Sequence, residues 1–166
     1  MMVSEVNTEH FVFRNYIELS EEESYLIWKG RNHPDVRMWM DNSAEFPFDQ
    51  HLKYVESLRQ KSDRLYFAAL YDGRIIGSFC LNPFNSETKV GELGKFLLTE
   101  YMGRGLGKMA TREFLNYLFE HEIVNHVVIR TKLNNLKNQH VNESVGFHEY
   151  KRDETYVYMK IEGVKL

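Results

Sequence analysis

The hydrophobic pattern of the first third of the chain predicts one strand followed by three helices. Residues 11–18 combine aromatic and β-branched side chains, which is typical of a strand. Ser20 precedes three glutamates and then apolar positions, so it resembles the N-cap of a helix with an acidic first turn. Pro34 and Pro47 each favour the start of a further helix, because proline suits the first helical turn.

From residue 65 onward the pattern predicts a hairpin and then strands and helices in alternation. Two apolar runs, 65–71 and 75–81, flank Asp72-Gly73, which is a strong signal for a tight hairpin turn. The elements predicted after the hairpin are a strand at 90–99, a helix at 106–120, a strand at 126–131, a helix at 135–145 and closing strands at 147–151 and 155–161. This order indicates an α/β protein with a mixed α+β sheet and helices on both faces.

Length and composition narrow the class of protein. With 166 residues, of which 43% are apolar, the chain is predicted to form one folded domain over residues 1–166. A formal net charge of -3 gives no sign of the basic face that nucleic-acid binders carry. The lone cysteine, Cys80, excludes an internal disulfide and a cysteine-rich zinc site, and no metal is expected. Because no segment has the length of an apolar membrane span, we expect a cytoplasmic protein with no membrane partner.

The most distinctive segment is a glycine-rich turn that leads into the predicted helix at 106–120. It reads Gly103, Arg104, Gly105, Leu106, Gly107 and Lys108. Glycine lets the backbone approach a ligand and adopt conformations that a Cβ forbids. Free N–H groups at a helix start, together with the helix dipole, favour an anion such as a diphosphate. The turn lacks the Gly-Lys-Ser/Thr ending of a P-loop, which supplies a hydroxyl for Mg²⁺.

This turn, together with Asn135 eleven residues before Gly146-Phe147, resembles the GNAT superfamily of N-acetyltransferases. The resemblance covers about residues 64–161 and implies the GNAT fold: a central, mostly antiparallel sheet with a splayed strand pair. It also implies that acetyl-CoA is the co-substrate. The residues that it assigns to the coenzyme are the turn from Gly103 to Lys108, Leu97 on the preceding strand, and Asn135 with Asn138 on the next helix.

Two positions depart from the pattern of that superfamily. Met102 stands where Gln or Arg is usual, and we expect coenzyme binding to survive this change. Asn142 stands where many members have a tyrosine that protonates the leaving thiolate. An amide donates a hydrogen bond but delivers no proton, so Asn142 is expected to act in catalysis by stabilising the thiolate while water supplies the proton. At about 100° per residue, Asn135, Asn138, Gln139 and Asn142 share one helical face. We expect this stripe to face the coenzyme, with a solvated polar face as the alternative.

Acetyl transfer requires an unprotonated amine, a polarised thioester carbonyl and a stabilised thiolate. Glu92 is the candidate general base, because it lies on the same predicted strand as Leu97, a few residues before the expected acetyl position. Strand alternation makes Glu92 point with Gly94 and Phe96. A structural or solvent-facing carboxylate is the alternative interpretation of Glu92.

The acceptor is expected near the helices at about 20–60. Arg31, His33 and Arg37 concentrate positive charge beside Trp39, a combination that suits a diphosphate and a base or sugar ring. The alternative places Trp39 in the core and the arginines in solvent. This arrangement resembles the GNAT branch that acetylates UDP-linked 4-amino-4,6-dideoxy sugars in pseudaminic acid synthesis for flagellin and surface glycans.

The resemblance therefore predicts an N-acetyltransferase that moves an acetyl group to the primary amine of a small nucleotide-sugar acceptor. The transfer is expected to occur by direct attack in a ternary complex. Two alternatives stay open: an acetyltransferase of protein N-termini or ribosomal proteins, and a non-catalytic acyl-CoA-binding module. A homodimer is also left open.

Overall fold

A computed structural model describes residues 3–163, which form eight strands and five α-helices. The strands are β1 (Glu5–Asn7), β2 (Phe11–Asn15), β3 (Leu65–Tyr71), β4 (Arg74–Asn85), β5 (Val90–Leu97), β6 (His126–Lys132), β7 (His148–Arg152) and β8 (Tyr156–Glu162). The helices are α1 (Glu21–Asn32), α2 (Pro34–Arg37), α3 (Phe48–Ser57), α4 (Leu106–Glu120) and α5 (Leu136–Val145). All strands belong to one sheet in the order β1-β2-β3-β4-β5-β6-β8-β7.

The predicted α/β fold class is confirmed: one mixed, mostly antiparallel sheet carries helices on both faces. The sequence pattern missed β1, because three residues are too few to show an alternation. The first predicted strand ends early, at Asn15, whose side chain accepts a hydrogen bond from the Ile17 N–H and caps a 3₁₀ turn. Ser20 and Glu23 form the expected N-terminal cap of α1 as a reciprocal capping box.

The sheet separates two apolar clusters. On one face, α4 and α5 cover a cluster that includes Phe13, Phe79 and Phe114. On the other face, α1 and α3 cover a smaller cluster built around Ile27 and Val55. Residues that alternate along β5 therefore point towards different helices, and a site between the strands is reached from both faces.

The strands β5 and β6 form the only parallel pair of the described sheet, and they separate soon after they meet. Their register covers Val90–Glu92 against His126–Val128, and beyond it the two strands no longer pair. The splayed pair that the resemblance implies is thus confirmed. Backbone N–H and C=O groups of β5 that face the gap are left without a strand partner, and they are available to a ligand.

Candidate active site

A cavity of about 640 Å³ occupies the gap between the splayed strands. Its walls come from β5, β6, the turn before α4, the start of α5 and the segment 35–41. The volume lies within the range of small-molecule and cofactor sites, which is about 300–1,000 Å³. The cavity reaches both faces of the sheet, because Glu92 and Lys95, which lie on opposite faces of β5, both line it.

The glycine-rich turn presents backbone rather than side chains to the cavity. Gly103 and Gly105 have φ angles of 75° and 76°, a region that other residues adopt at a cost. A Cβ at either position would meet no atom within 4 Å, so the space in front of the turn is open. Gly105 is the N-cap of α4 and offers no side-chain cap, which leaves N–H groups of the first helical turn free. This cradle fits the diphosphate of coenzyme A.

Neighbouring residues of the turn have different roles. Lys108 lines the cavity, whereas the Leu106 side chain is buried in the core and the Arg104 guanidinium lies 5.6 Å from the centre of the Tyr101 ring. Arg104 and Leu106 are absent from the cavity wall, so their predicted part in coenzyme binding depends on their backbone N–H groups and stays a prediction. Gly107 is needed for close approach, since a Cβ there would lie 3.3 Å from the Leu97 side chain.

The polar residues of α5 attach the helix to β6. Asn135 caps the helix by accepting a hydrogen bond from the Asn138 N–H, and the Asn138 amide donates to Thr131 Oγ1 at 3.2 Å. Gln139 donates to two backbone carbonyls after β6. Asn135 and Asn138 also line the cavity, as expected for the coenzyme stripe.

Asn142 does not share that position. Its side chain is fully buried beneath α5, it is absent from the cavity wall, and its amide donates to Thr131 Oγ1 at 3.4 Å. The expected coenzyme-facing position of Asn142 is wrong, because the helix turns this residue towards the sheet. The thiolate role that the resemblance gave to Asn142 stays a prediction without geometric support.

Glu92 lines the cavity on the acceptor face and forms an ion pair with Arg130, whose Nε lies 3.1 Å from Glu92 Oε1. Burial raises the pKa of Glu92 above its ordinary value, and the positive charge of Arg130 opposes this rise. Arg130 also binds Asp41 at 2.7 Å and lies over the ring of Tyr156, whose hydroxyl donates to Asp41. A carboxylate with a raised pKa in a cleft is a general-base candidate.

The cations Arg130 and Lys132, which the sequence analysis missed, hold the loop after α2 against the sheet. Lys132 Nζ donates to the carbonyl oxygens of Met38 and Met40 at 3.1 and 3.0 Å. Arg130 lies in the strand predicted at 126–131 and Lys132 directly follows it, so strand alternation places both cations on one face. Their partners lie about 90 residues earlier, so the sequence gave no sign of the contact.

The four residues predicted to bind the acceptor separate into two groups. Trp39 lines the cavity. His33 Nδ1 accepts a hydrogen bond from the Asp35 N–H, and Arg37 pairs with Glu45 at 2.5 Å; neither residue lines the cavity. The contribution of His33 and Arg37 stays a prediction without support from the cavity wall, because local contacts engage both side chains.

Arg31 and His51, a residue that the sequence analysis did not select, lie beside the same ring of Phe46, and neither lines the cavity. Arg31 lies 5.7 Å from the centre of the Phe46 ring, and the His51 ring stacks on the same Phe46 at 6.4 Å. Arg31 Nη1 and His51 Nε2 are buried, and neither has a hydrogen-bond partner among residues 3–163. Burial lowers the pKa of His51 to about 4, so its ring is neutral near pH 7.

No helix formed by residues 3–163 combines the length and the apolar character that a membrane span requires. Within the same range, no cluster of three His, Cys, Asp or Glu side chains is arranged to hold a metal ion.

Known proteins resemble this chain over most of its length. A family model described as an acetyltransferase (GNAT) domain matches residues 11–148. Acetyltransferase PseH from a Campylobacter jejuni strain of serotype O:23/36 is 30% identical over 146 residues, which are 88% of this chain and 90% of that protein. PseH from a serotype O:2 strain is 34% identical over 107 residues, which are 64% of this chain and 65% of that protein.

A solved structure gives the same result. The crystal structure of Campylobacter jejuni N-acetyltransferase PseH in complex with acetyl coenzyme A has a TM-score of 0.76 and 25% sequence identity. The match covers 93% of this chain and 99% of that one. The likeness therefore includes the segments that line the cavity as well as the sheet.

Proposed function

The chain belongs to the GNAT family of acetyltransferases, and we propose that it acetylates the 4-amino group of a UDP-linked amino sugar. As a member of this family it is an N-acetyltransferase that uses acetyl-CoA as acetyl donor. Bound acetyl-CoA supplies the activated acetyl group. The chain's own residues bind the donor, orient the acceptor and remove the proton from the amine.

The transfer requires the amine and the thioester to meet between β5 and β6. In the proposed mechanism, Glu92 accepts the proton of the attacking amine from the acceptor face of the sheet. Backbone N–H groups of β5 that face the splay polarise the thioester carbonyl. Because the base works as a carboxylate, turnover rises as the pH passes upward through the raised pKa of Glu92.

The observation that carries the acceptor assignment is the pair of unpartnered nitrogens on Arg31 and His51. A buried polar atom without a partner is costly, so the Arg31 donor and the His51 ring nitrogen, both beside Phe46, favour a ligand with oxygen or hydroxyl groups. A nucleotide diphosphate supplies such oxygens, and arginine binds them well. The ring of Trp39 on the cavity wall offers a surface for the sugar or the base. The resemblance of residues 31–40 to the amino-sugar branch supports the same acceptor.

A panel of acceptors tests the proposal. The protein is incubated with acetyl-CoA and UDP-4-amino sugars, N-terminal peptides or polyamines, while the release of free thiol is followed. Thiol release with the nucleotide sugars alone is the expected result. Preference for peptides would favour the alternative of a protein acetyltransferase. Acetyl-CoA binding without turnover on any amine would favour the alternative of a non-catalytic acyl-CoA-binding module.

The cytoplasmic location and the homodimer stay predictions. Size-exclusion chromatography with light scattering measures the mass of the particle directly. A mass near 19.8 kDa would show a monomer, and twice that value would show the dimer.

A further inference from the structure

Lys95 carries an ammonium group that the mechanism so far leaves without a role. It lies on β5 between Glu92 and Leu97, opposite Phe79 of β4, so its side chain points to the α4 face of the sheet. Glu92 points to the other face, where the acceptor is proposed to bind. Lys95 nevertheless lines the cavity. The side chains of Lys95 and Glu92 therefore approach the gap between β5 and β6 from opposite faces of the sheet.

The surroundings of Lys95 offer it one neutral partner. Its Nζ donates to Thr111 Oγ1 at 3.3 Å, and this buried hydroxyl in turn donates to the Gly107 carbonyl at 2.6 Å. An ammonium has three N–H donors, so two remain for the cavity. No carboxylate among residues 3–163 forms an ion pair with Lys95, and burial lowers its pKa to about 8.

The other charged groups of the cavity do not neutralise this ammonium. Lys108 of α4 and Lys137 of α5, which share the cavity wall on this side, are also cations. The carboxylates of the cavity wall lie on the acceptor side, where Glu92 and Asp41 are paired with Arg130; the third of them is Asp35. A half-buried cation without a counter-charge is unfavourable, so the position of Lys95 favours a ligand that brings negative charge to this wall.

Acetyl transfer produces such a charge. The amine nitrogen attacks the thioester carbonyl carbon, the carbon–sulfur bond breaks, and its electron pair stays on sulfur as a thiolate. The amine proton goes to Glu92 on the opposite face, so the sulfur takes its proton either from water or from a group of the cavity wall. Asn142 lies outside the cavity wall and its amide delivers no proton.

We propose that Lys95 pairs with the sulfur of coenzyme A and gives it a proton as the thiolate leaves. One N–H bond of the ammonium breaks, an S–H bond forms, and neutral Lys95 regains a proton from water after the product departs. At about 3.3 Å per residue, Lys95 lies about 7 Å along the strand from Leu97 and about 10 Å from Glu92. It thus lies between the expected pantetheine contact and the general base. This inference rests on the acetyl transfer of the proposed function, and the identity of the acceptor does not enter it.

The first test measures the thiol of bound coenzyme A and needs no acceptor. The ultraviolet absorbance of the thiolate is followed against pH in complexes of coenzyme A with the wild type, Lys95→Met and Lys95→Arg. A free thiol has a pKa of about 8.5. The wild type and Lys95→Arg should lower the pKa of the bound thiol by about one unit, and Lys95→Met should not. Equal thiol titrations in the wild type and Lys95→Met would overturn the proposal.

The second test separates proton delivery from charge. Arginine keeps its proton, so Lys95→Arg and Lys95→Met should both reduce kcat by about 100-fold while KM for acetyl-CoA stays within about threefold. Wild-type kcat should fall at alkaline pH as Lys95 loses its proton, and this limb should vanish in both variants. Lys53→Met, on an exposed part of α3, is the control.

The outcomes distinguish three roles of Lys95: proton delivery to sulfur, binding of the coenzyme diphosphate, and a purely structural contribution to the fold. Weaker acetyl-CoA binding at unchanged kcat in Lys95→Met would assign the ammonium to the diphosphate and overturn the proposal. A large drop in the thermal midpoint of both variants, with an unaltered thiol titration, would show a structural role. Failure of the wild type on every amine would contradict the proposed function, while the thiol titration would still decide the role of Lys95.

Discussion

The coenzyme side and the acceptor side of the cavity are built by different means. On the coenzyme side, the backbone conformation at Gly103 and Gly105 and the free N–H groups of α4 form the cradle. On the acceptor side, the proposed binding groups are the side chains of Trp39, which lines the cavity, and of Arg31 and His51, which lie outside its wall on separate segments. A backbone cradle depends on a short local motif, whereas a side-chain site depends on how distant segments pack. The two sides should therefore fail in different ways when they are altered.

The largest effect is expected at the backbone cradle. Gly105→Glu should reduce acetyl-CoA affinity by more than about 100-fold, because it adds a negative charge and bulk where the diphosphate binds. Gly73→Glu is the matched control: Gly73 has the same type of conformation, with φ of 74° and open space around it, in the hairpin turn. Both variants should lose about 1–2 kcal/mol of stability from backbone strain. Calorimetry that finds equal acetyl-CoA affinity in both variants would remove the cradle assignment.

On the acceptor side, a substitution is expected to weaken binding of the nucleotide sugar and to leave binding of acetyl-CoA unchanged, and this effect should be smaller than that at the glycine-rich turn. Arg31→Met should raise KM for the nucleotide sugar about 10- to 100-fold, since a charge-assisted hydrogen bond contributes about 1.5–3 kcal/mol. Affinity for acetyl-CoA should not change. The control is Arg37→Met, because Arg37 pairs with the exposed Glu45 outside the cavity wall. Equal losses of acceptor affinity in the Arg37 and Arg31 variants would contradict the assignment of Arg31 to the diphosphate of the acceptor.

Acid should destabilise the fold through His51 on the acceptor side. His51 has a folded-state pKa of about 4 and an unfolded-state pKa of about 6.5, so between these values the unfolded chain binds a proton that the folded protein does not. The free energy of unfolding should therefore fall by about 2 kcal/mol as the pH drops from about 6.5 to about 4. His51→Phe should lose most of this dependence while it keeps the aromatic stacking. Denaturant titrations of both proteins across this range measure the difference, and equal slopes would contradict it.

The smallest effect is expected at Asn142. Because its amide contacts Thr131 beneath α5, Asn142→Ala should lower the free energy of unfolding by about 1 kcal/mol and leave kcat unchanged. Thermal unfolding and steady-state kinetics on the same preparation separate the two quantities. A large loss of kcat at an unaltered unfolding midpoint would restore the thiolate role that the resemblance gave to this residue.

The same contrast explains which features the sequence could predict. The turn at 103–108 and the capping box at Ser20 depend on neighbours along the chain, so their patterns predicted them. The contact of Arg130 with Asp41 joins residues 89 positions apart, and no local pattern contains it. For His33 and Arg37, the prediction used their charge, whereas their local partners decide where the two side chains point. Asn142 failed because spacing gives the helical face but not which face turns towards the sheet.

A crystal structure of the protein with coenzyme A and UDP bound together tests the central claim most directly. The account predicts that the coenzyme diphosphate lies within hydrogen-bond distance of backbone N–H groups between Met102 and Lys108. It also predicts that the UDP diphosphate contacts Arg31 Nη1 on the opposite face of the sheet. Both diphosphates at one end of the cavity, or a turn that binds neither, would contradict the account.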